Sequence, residues 1–190
     1  MRRPWYAGLA AFLRAHRAQI LALCFSLAIT AVIVVYRDRV VDLEGYGYLG
    51  VFLISLLGNA TVILPVPSLA VVFASGGVLN PLLVGLVAGV GEPIGELTGY
   101  LAGFGGSAAI ADTPRFERVK AWMQRRGFVT LFVLSVIPNP LFDLAGISAG
   151  VLHYPVWRFL LACWLGKTTK AITLAYLGSV SIGLFQRWWG

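Results

Sequence analysis

The chain has 190 residues, of which 58% are hydrophobic and 12% charged, with a mean hydropathy of +0.82. A soluble domain carries about 25% charged residues, so this composition excludes a water-soluble globule, and the length suits one compact membrane bundle. The net charge of +7 gathers beside apolar runs without any nucleic-acid-binding motif, which excludes a nucleic-acid partner and marks the basic residues as membrane-flanking.

Residues 4–17, apolar with basic punctuation, predict a short interfacial helix. Residues 18–36 predict a first transmembrane helix, too long and without the Ala-x-Ala exit of a cleavable signal. Arg2, Arg3, Arg14 and Arg17 precede it, whereas the next loop (Arg37, Asp38, Arg39, Asp42, Glu44) is net acidic. Basic flanks stay on the cytoplasmic side, so the N-terminus is expected there. Tyr46 to Ala60 is apolar but short for a span. Gly58-Asn59-Ala60-Thr61 and Pro65-Val66-Pro67 then break the backbone, and Ser68 to Gly77 forms a second short piece.

Pro81 to Phe104 predicts a full span containing Glu92, Pro93 and Glu96. Gly91, Gly95, Gly99 and Gly103 recur every fourth position and predict a smooth face for close helix packing. After a small-residue loop (105–113), residues 114–126 predict an amphipathic surface helix with Phe116, Val119, Trp122 and Met123 on its apolar side. A basic cluster, Arg115, Arg118, Lys120, Arg125 and Arg126, lies in this part of the chain against Asp112 and Glu117. Phe128 to Ile137, the break at Pro138-Asn139-Pro140, and Leu141 to Gly150 form a second pair of short pieces. Val156 to Phe185 predicts one long span or two pieces jointed near Gly166, interrupted by Lys167 and Lys170.

One phrase is written twice. Pro65-Val66-Pro67 leads to Gly77-Val78-Leu79-Asn80-Pro81, and Pro138-Asn139-Pro140 leads to Gly150-Val151-Leu152-His153-Tyr154-Pro155. A Pro-x-Pro cannot continue a helix, and broken backbone at membrane depth must be buried in protein or line water. The fold expected is therefore an all-α integral membrane protein with about three full transmembrane helices, two re-entrant hairpins in an inverted repeat, and interfacial amphipathic helices. Paired interruptions in two repeats point to the substrate site of a transporter. The expected division is 1–17, 18–45 and 46–190, the last split into repeat one (46–104), a basic linker (105–126) and repeat two (127–190).

Three carboxylates stand out. Asp143 lies just past the second break, where it reads either as a headgroup or proton site or as a cap on the following helical turn. Glu92 and Glu96 share a helix face, which suits a proton relay, a cap beside Pro93, or a salt bridge to Lys167 or Lys170. Gly91-Glu92-Pro93 aligns with Gly166-Lys167-Thr168, acid against base. Asp143, Glu96, Glu92, Asn139, Lys167 and Lys170 are the expected substrate path, with Pro65, Pro67, Pro138 and Pro140 as the breaks. Cys24 and Cys163 read as small hydrophobes. No metal-ligand spacing, nucleophile–base pair or phosphate-binding loop occurs, so no metal, cofactor or enzymatic activity is expected.

The run Ser135-Val-Ile-Pro-Asn-Pro-Leu-Phe-Asp-Leu-Ala-Gly-Ile147, then Gly150, Pro155-Val-Trp157 and Gly166-Lys167, resembles the vacuole membrane protein branch of the DedA superfamily, also called the SNARE-associated or VTT-domain family. Ile94-Gly95-Glu96 with Tyr100 resembles the family's glycine–acid element. The resemblance covers about residues 46–180 and implies re-entrant hairpins, an inverted repeat and lipid transport. Its motifs fall on Pro138, Asn139, Pro140, Asp143 and Glu96. Typical bacterial members carry arginines flanking the second-hairpin proline and acids in the first hairpin. Here Ser135 and Leu141 stand in the former places, and the first hairpin has Asn59, Thr61 and Ser68. These departures favour an energy-independent phospholipid scramblase over a proton-coupled transporter of a lipid phosphate carrier or small solute; a non-transporting membrane scaffold is the further alternative. The expected partners are membrane phospholipids, with protons and a second copy of the chain as further candidates. The expected location is the plasma (inner) membrane of a prokaryote.

Overall fold

The computed structural model describes residues 47–60, 68–107, 114–138 and 141–189, together with positions 17, 20, 21 and 24. The described residues contain helices and no strand: α1 (Tyr48–Asn59), α2 (Ser68–Gly76), α3 (Pro81–Gly106), α4 (Pro114–Val136), α5 (Leu141–Val151) and α6 (Val156–Trp189). The expected first span, Pro65, Pro67, Asn139 and Pro140 fall outside the described residues, apart from positions 20, 21 and 24 of the span.

Local chemistry sets the helix ends. Asn80 caps α3 by accepting from the N–H groups of Leu82 and Leu83 at 3.0 and 3.2 Å, and Pro81 follows it at the first helical position. The N–H of Asn80 donates to the Tyr48 hydroxyl at 3.1 Å, so the start of α3 is tied to α1. At the other end of α1, Thr98 Oγ1 donates to the Ala60 carbonyl at 2.6 Å. Past α5, His153 takes a φ of 52°, and Tyr100 Oη donates to the Tyr154 carbonyl at 2.6 Å. That bond pins the turn into α6 onto α3.

Two elements differ from the sequence reading. The amphipathic helix and the first arm of the second hairpin are one helix, α4, because Gly127 is not a break. It is buried, and a methyl group there would meet the Met123 sulfur and the Tyr154 ring. Of the two alternatives for the last span the unbroken one holds, since α6 runs through Gly166 without a joint. Pro93 sits inside α3 and begins no new piece. Its missing N–H leaves the Gly89 carbonyl without the usual intrahelical donor.

α3 and α6 pack along each other at the centre. α1 lies on α3 and α4 on α6, while the second short helices cross over, α2 onto α6 and α5 onto α3. The glycines show how close these contacts are. A methyl group on Gly91 would stand 2.7 Å from the Phe52 oxygen and 3.2 Å from the Leu56 nitrogen, and one on Gly166 would stand 2.7 Å from the Phe132 oxygen and 3.2 Å from the Val136 nitrogen. Gly76 abuts Ala175 as Gly150 abuts Tyr100, and Gly103 abuts Ile147 as Gly178 abuts Phe73. One constant offset carries Gly91 to Gly166, Tyr100 to Ala175 and Gly103 to Gly178.

The expected glycine stripe serves two partners. Residues four apart drift by about 40° around a helix, so Gly91 and Gly95 face α1 while Gly103 faces α5. Gly85 and Gly89, on the other side of α3, receive Ile172 and Thr168 of α6.

The burial pattern departs from that of a soluble protein in its charges and in its large apolar side chains. Glu92, Glu96 and Lys167 are buried, whereas Leu82, Leu83, Leu86, Val90 and Ile94 of α3 and Leu161, Trp164, Leu165 and Leu177 of α6 are exposed. A surface of this kind suits hydrocarbon and not water. Among the described residues α3 is the helix long and apolar enough to cross a membrane. α6 is longer, with 34 residues, but Arg158, Lys167 and Lys170 interrupt its apolar character.

Backbone contact at Gly95 predicts that Gly95→Val forces α1 off α3, since its Cβ would meet the Leu56 carbonyl and the Ala60 nitrogen. A loss of about 2 kcal/mol or more is expected, read as a lowered melting temperature in detergent. Gly106→Ala, with open space around it, should leave the melt unchanged or slightly raise it.

Candidate functional site

Four charged side chains meet where α3 passes α6. Glu92 and Glu96 are one turn apart on α3, and Lys167 and Lys170 are three apart on α6, so each pair projects from one face. Lys167 Nζ donates to Glu96 Oε1 and to Asn59 Oδ1, both at 2.5 Å, and lies 3.6 Å from Glu92 Oε2. Lys170 Nζ donates to the same Glu92 oxygen at 2.7 Å. Asn59 is aimed by its own amide, which donates to the Ser55 carbonyl at 2.8 Å. The Phe142 ring lies 4.7 Å from Lys167 Nζ, close enough for a cation–π contact.

Relative exposure is 0% for Glu92, 2% for Glu96 and 3% for Lys167. Isolated charges at that depth cost several kcal/mol each, and only mutual pairing offsets this. Two carboxylates and two ammonium groups make the quartet neutral. Lys167 donates to Glu96 and Asn59 and faces Glu92 as an ion pair without a hydrogen bond. Among the described residues one oxygen of the quartet, Glu92 Oε1, is buried without a hydrogen-bond partner.

Asp143 is a third carboxylate at the edge of this quartet. It lies in the first turn of α5, half-buried, where the positive end of the helix favours a negative charge. Gly146, on the same face of α5, sits against Glu96, such that a methyl group there would be 3.7 Å from Oε2. The charges of Lys167 and Lys170 act on Asp143, yet among the described residues no cation stands within ion-pair distance of it. The arrangement thus carries one carboxylate more than its lysines balance.

Of the residues singled out from sequence, Glu92, Glu96, Lys167 and Lys170 come together, with Asp143 beside them. Pro138 is exposed just past the end of α4. Gly91, Gly95 and Gly103 are helix contacts, and Gly99 is buried within α3. Sequence reasoning missed Asn59 and Phe142 as partners of Lys167. Their signal was a polar side chain ending an apolar run and an aromatic ring adjoining Asp143. Among the described residues no group of His, Cys, Asp and Glu is arranged to hold a metal ion, and Cys24 and Cys163 are free thiols.

Residues 66–180 match the model of the VTT domain. Vacuole membrane protein KMS2 of Arabidopsis thaliana is 33% identical over 120 aligned residues, 50% of this chain and 29% of the relative. KMS1 of the same plant is 34% identical over 107 residues, 45% of this chain and 26% of the relative. The vacuole membrane protein 1 homolog of Dictyostelium discoideum is 45% identical over 51 residues, 27% of this chain and 13% of the relative. The chain thus matches less than a third of the length of these relatives. They support a membrane location and do not bear on the expected prokaryotic host. No solved structure matches the chain.

Removing Lys167 should strand Glu96 and Asn59. Lys167→Met is expected to cost about 3–5 kcal/mol, and Glu96→Gln added to it should restore part of the loss. A double-mutant cycle of melting temperatures in detergent checks this, and additive losses would contradict direct pairing.

Proposed function

The chain belongs to the VTT-domain family of membrane proteins, the DedA or SNARE-associated superfamily, in its vacuole membrane protein branch, and we propose that it is an energy-independent phospholipid scramblase. The observation that carries this reading is a charged, mixed-sign cluster buried where α3 passes α6 and α1 and α5 meet them, inside an exterior that suits acyl chains. A headgroup crossing alone would leave its charges in hydrocarbon. Here it would exchange partners, phosphate toward Lys167 and Lys170, amine toward Glu96 and Asp143. Like replaces like, so compensation is kept at each step. The acyl chains stay in lipid.

In this reading α1–α2 and α4–α5 are re-entrant hairpins. Helix lengths support it: α1 has 12 residues, α2 has 9 and α5 has 11. At about 1.5 Å per residue these reach roughly 13–18 Å, half of a hydrocarbon core of about 30 Å. The recurrence of the same glycine contacts between exchanged partners supports an inverted repeat. The basic N-terminal flank supports a cytoplasmic N-terminus.

A second reading, proton-coupled transport of a lipid phosphate or small solute, draws on Asp143, the carboxylate left over when the lysines are balanced. Reconstitution distinguishes the two. With fluorescent lipid in liposomes, dithionite is expected to quench the inner-leaflet pool only when the protein is present, with no imposed gradient. A protected inner pool would overturn the scramblase reading. Asp143→Asn is expected to slow the crossing and leave it insensitive to pH; a gradient-dependent rate lost in that variant would transfer the assignment to the proton-coupled reading.

A further inference from the structure

The outer face of α4 is not used by the charged cluster. Met123, Gly127, Leu131 and Ser135 recur every fourth residue and are buried, so they bind the helix to the rest of the molecule. The opposite face carries Trp122, Arg125, Arg126, Val129 and Val133, all exposed, and Ile137 continues it past the helix end. These side chains fall within about 120° of the helix circumference. The face changes character abruptly. Up to Arg126 it is basic and aromatic; from Val129 onward it is aliphatic.

Neither Arg125 nor Arg126 has an ion-pair partner among the described residues. Lys120 is different, since it pairs with Glu117 at 3.6 Å. Trp122 lies in the basic part of the face, one turn before Arg126, and Trp is the residue that favours the headgroup region. From Arg126 to Val136 the helix rises about 15 Å, the depth of one leaflet of a core about 30 Å thick. The two free guanidinium groups therefore stand one acyl-chain length above the hairpin break at Pro138.

We propose that this face of α4 docks one anionic phospholipid, its phosphate held by Arg125 and Arg126 and its acyl chains lying along Val129, Val133 and Ile137. Guanidinium forks match phosphate oxygens, and three exposed aliphatic residues in line offer tails a surface as apolar as the bilayer. The site is separate from the buried quartet and, on the scramblase reading, would hold its lipid with the tails ending toward Pro138.

The test uses the full chain purified in mild detergent and offered equal amounts of phosphatidylglycerol and phosphatidylcholine with the same tails, with retention read by native mass spectrometry. The wild type is expected to retain phosphatidylglycerol preferentially. The Arg125→Gln/Arg126→Gln variant should lose the preference by up to about 30-fold, from roughly 1 kcal/mol per basic side chain, and Arg125→Lys/Arg126→Lys should largely keep it. Equal retention of the two lipids by the wild type would overturn the proposal. So would an equal loss on Arg158→Gln, displacement of the lipid by inorganic phosphate, or a second copy of the chain covering the face. Retention is read without any crossing, so a chain that retains the lipid and fails to scramble upholds this site and overturns the scramblase reading.

Discussion

The ammonium group of Lys167 organises the centre of this protein. It touches α3 through Glu96, the end of α1 through Asn59 and the start of α5 through Phe142, while belonging to α6 itself. Four helices thus converge on one nitrogen. In water such a hub would be worth little, because exposed ion pairs are screened. Enclosed by apolar residues, with each charge nearly inaccessible, it becomes a requirement, since a charge that loses its partner there has no solvent to replace it.

The glycines make that convergence physically possible. A lysine must reach a carboxylate on the neighbouring helix, and an asparagine on a third helix must reach the same lysine. Gly91 and Gly95 admit the α1 backbone, Gly85 and Gly89 admit α6, and Gly166 admits α4. Hydrocarbon offers no hydrophobic drive for helices to associate, so close backbone approach and polar bonds must hold them. Here small residues fix the spacing and the ion pairs fix the register. The buried apolar residues near the cluster, such as Ala88, Ala162, Ala171 and Ala175, are small for the same reason.

Much of this was legible in the residues. The described helices stop before and resume after the doubled Pro-x-Pro phrase, and the alignment of Glu92 with Lys167 foretold acid meeting base, because a periodic pattern and a charge in an apolar run are local signals. What failed was of another kind. Residues 114–126 and 128–137 read as separate pieces, but Tyr154, distant in sequence, packs on Gly127 between them and the helix runs on. Asn59 looked like part of a turn. Its partner Lys167 lies far along the chain, and no local pattern names a partner across a helix crossing.

The contacts also separate into two kinds. Glu92 and Lys167 occupy matching places under the offset that relates the glycine contacts, so their approach at 3.6 Å joins equivalent points of the two halves. Glu96 and Lys170 have no such match, because the offset carries Glu96 to Ala171 and places Gly95 opposite Lys170. If the halves are an inverted repeat, an exchange of their roles would retain the Glu92–Lys167 approach and would have to break the Glu96–Lys167 and Glu92–Lys170 bonds. On that premise the two shorter pairs would be specific to the arrangement described, and the longer one would be common to both. On the proposed scramblase reading, a headgroup that takes over Glu96 or Lys170 would remove what distinguishes one arrangement from the other and leave the central pair in place, and the sequence asymmetry between the halves would set which arrangement is preferred.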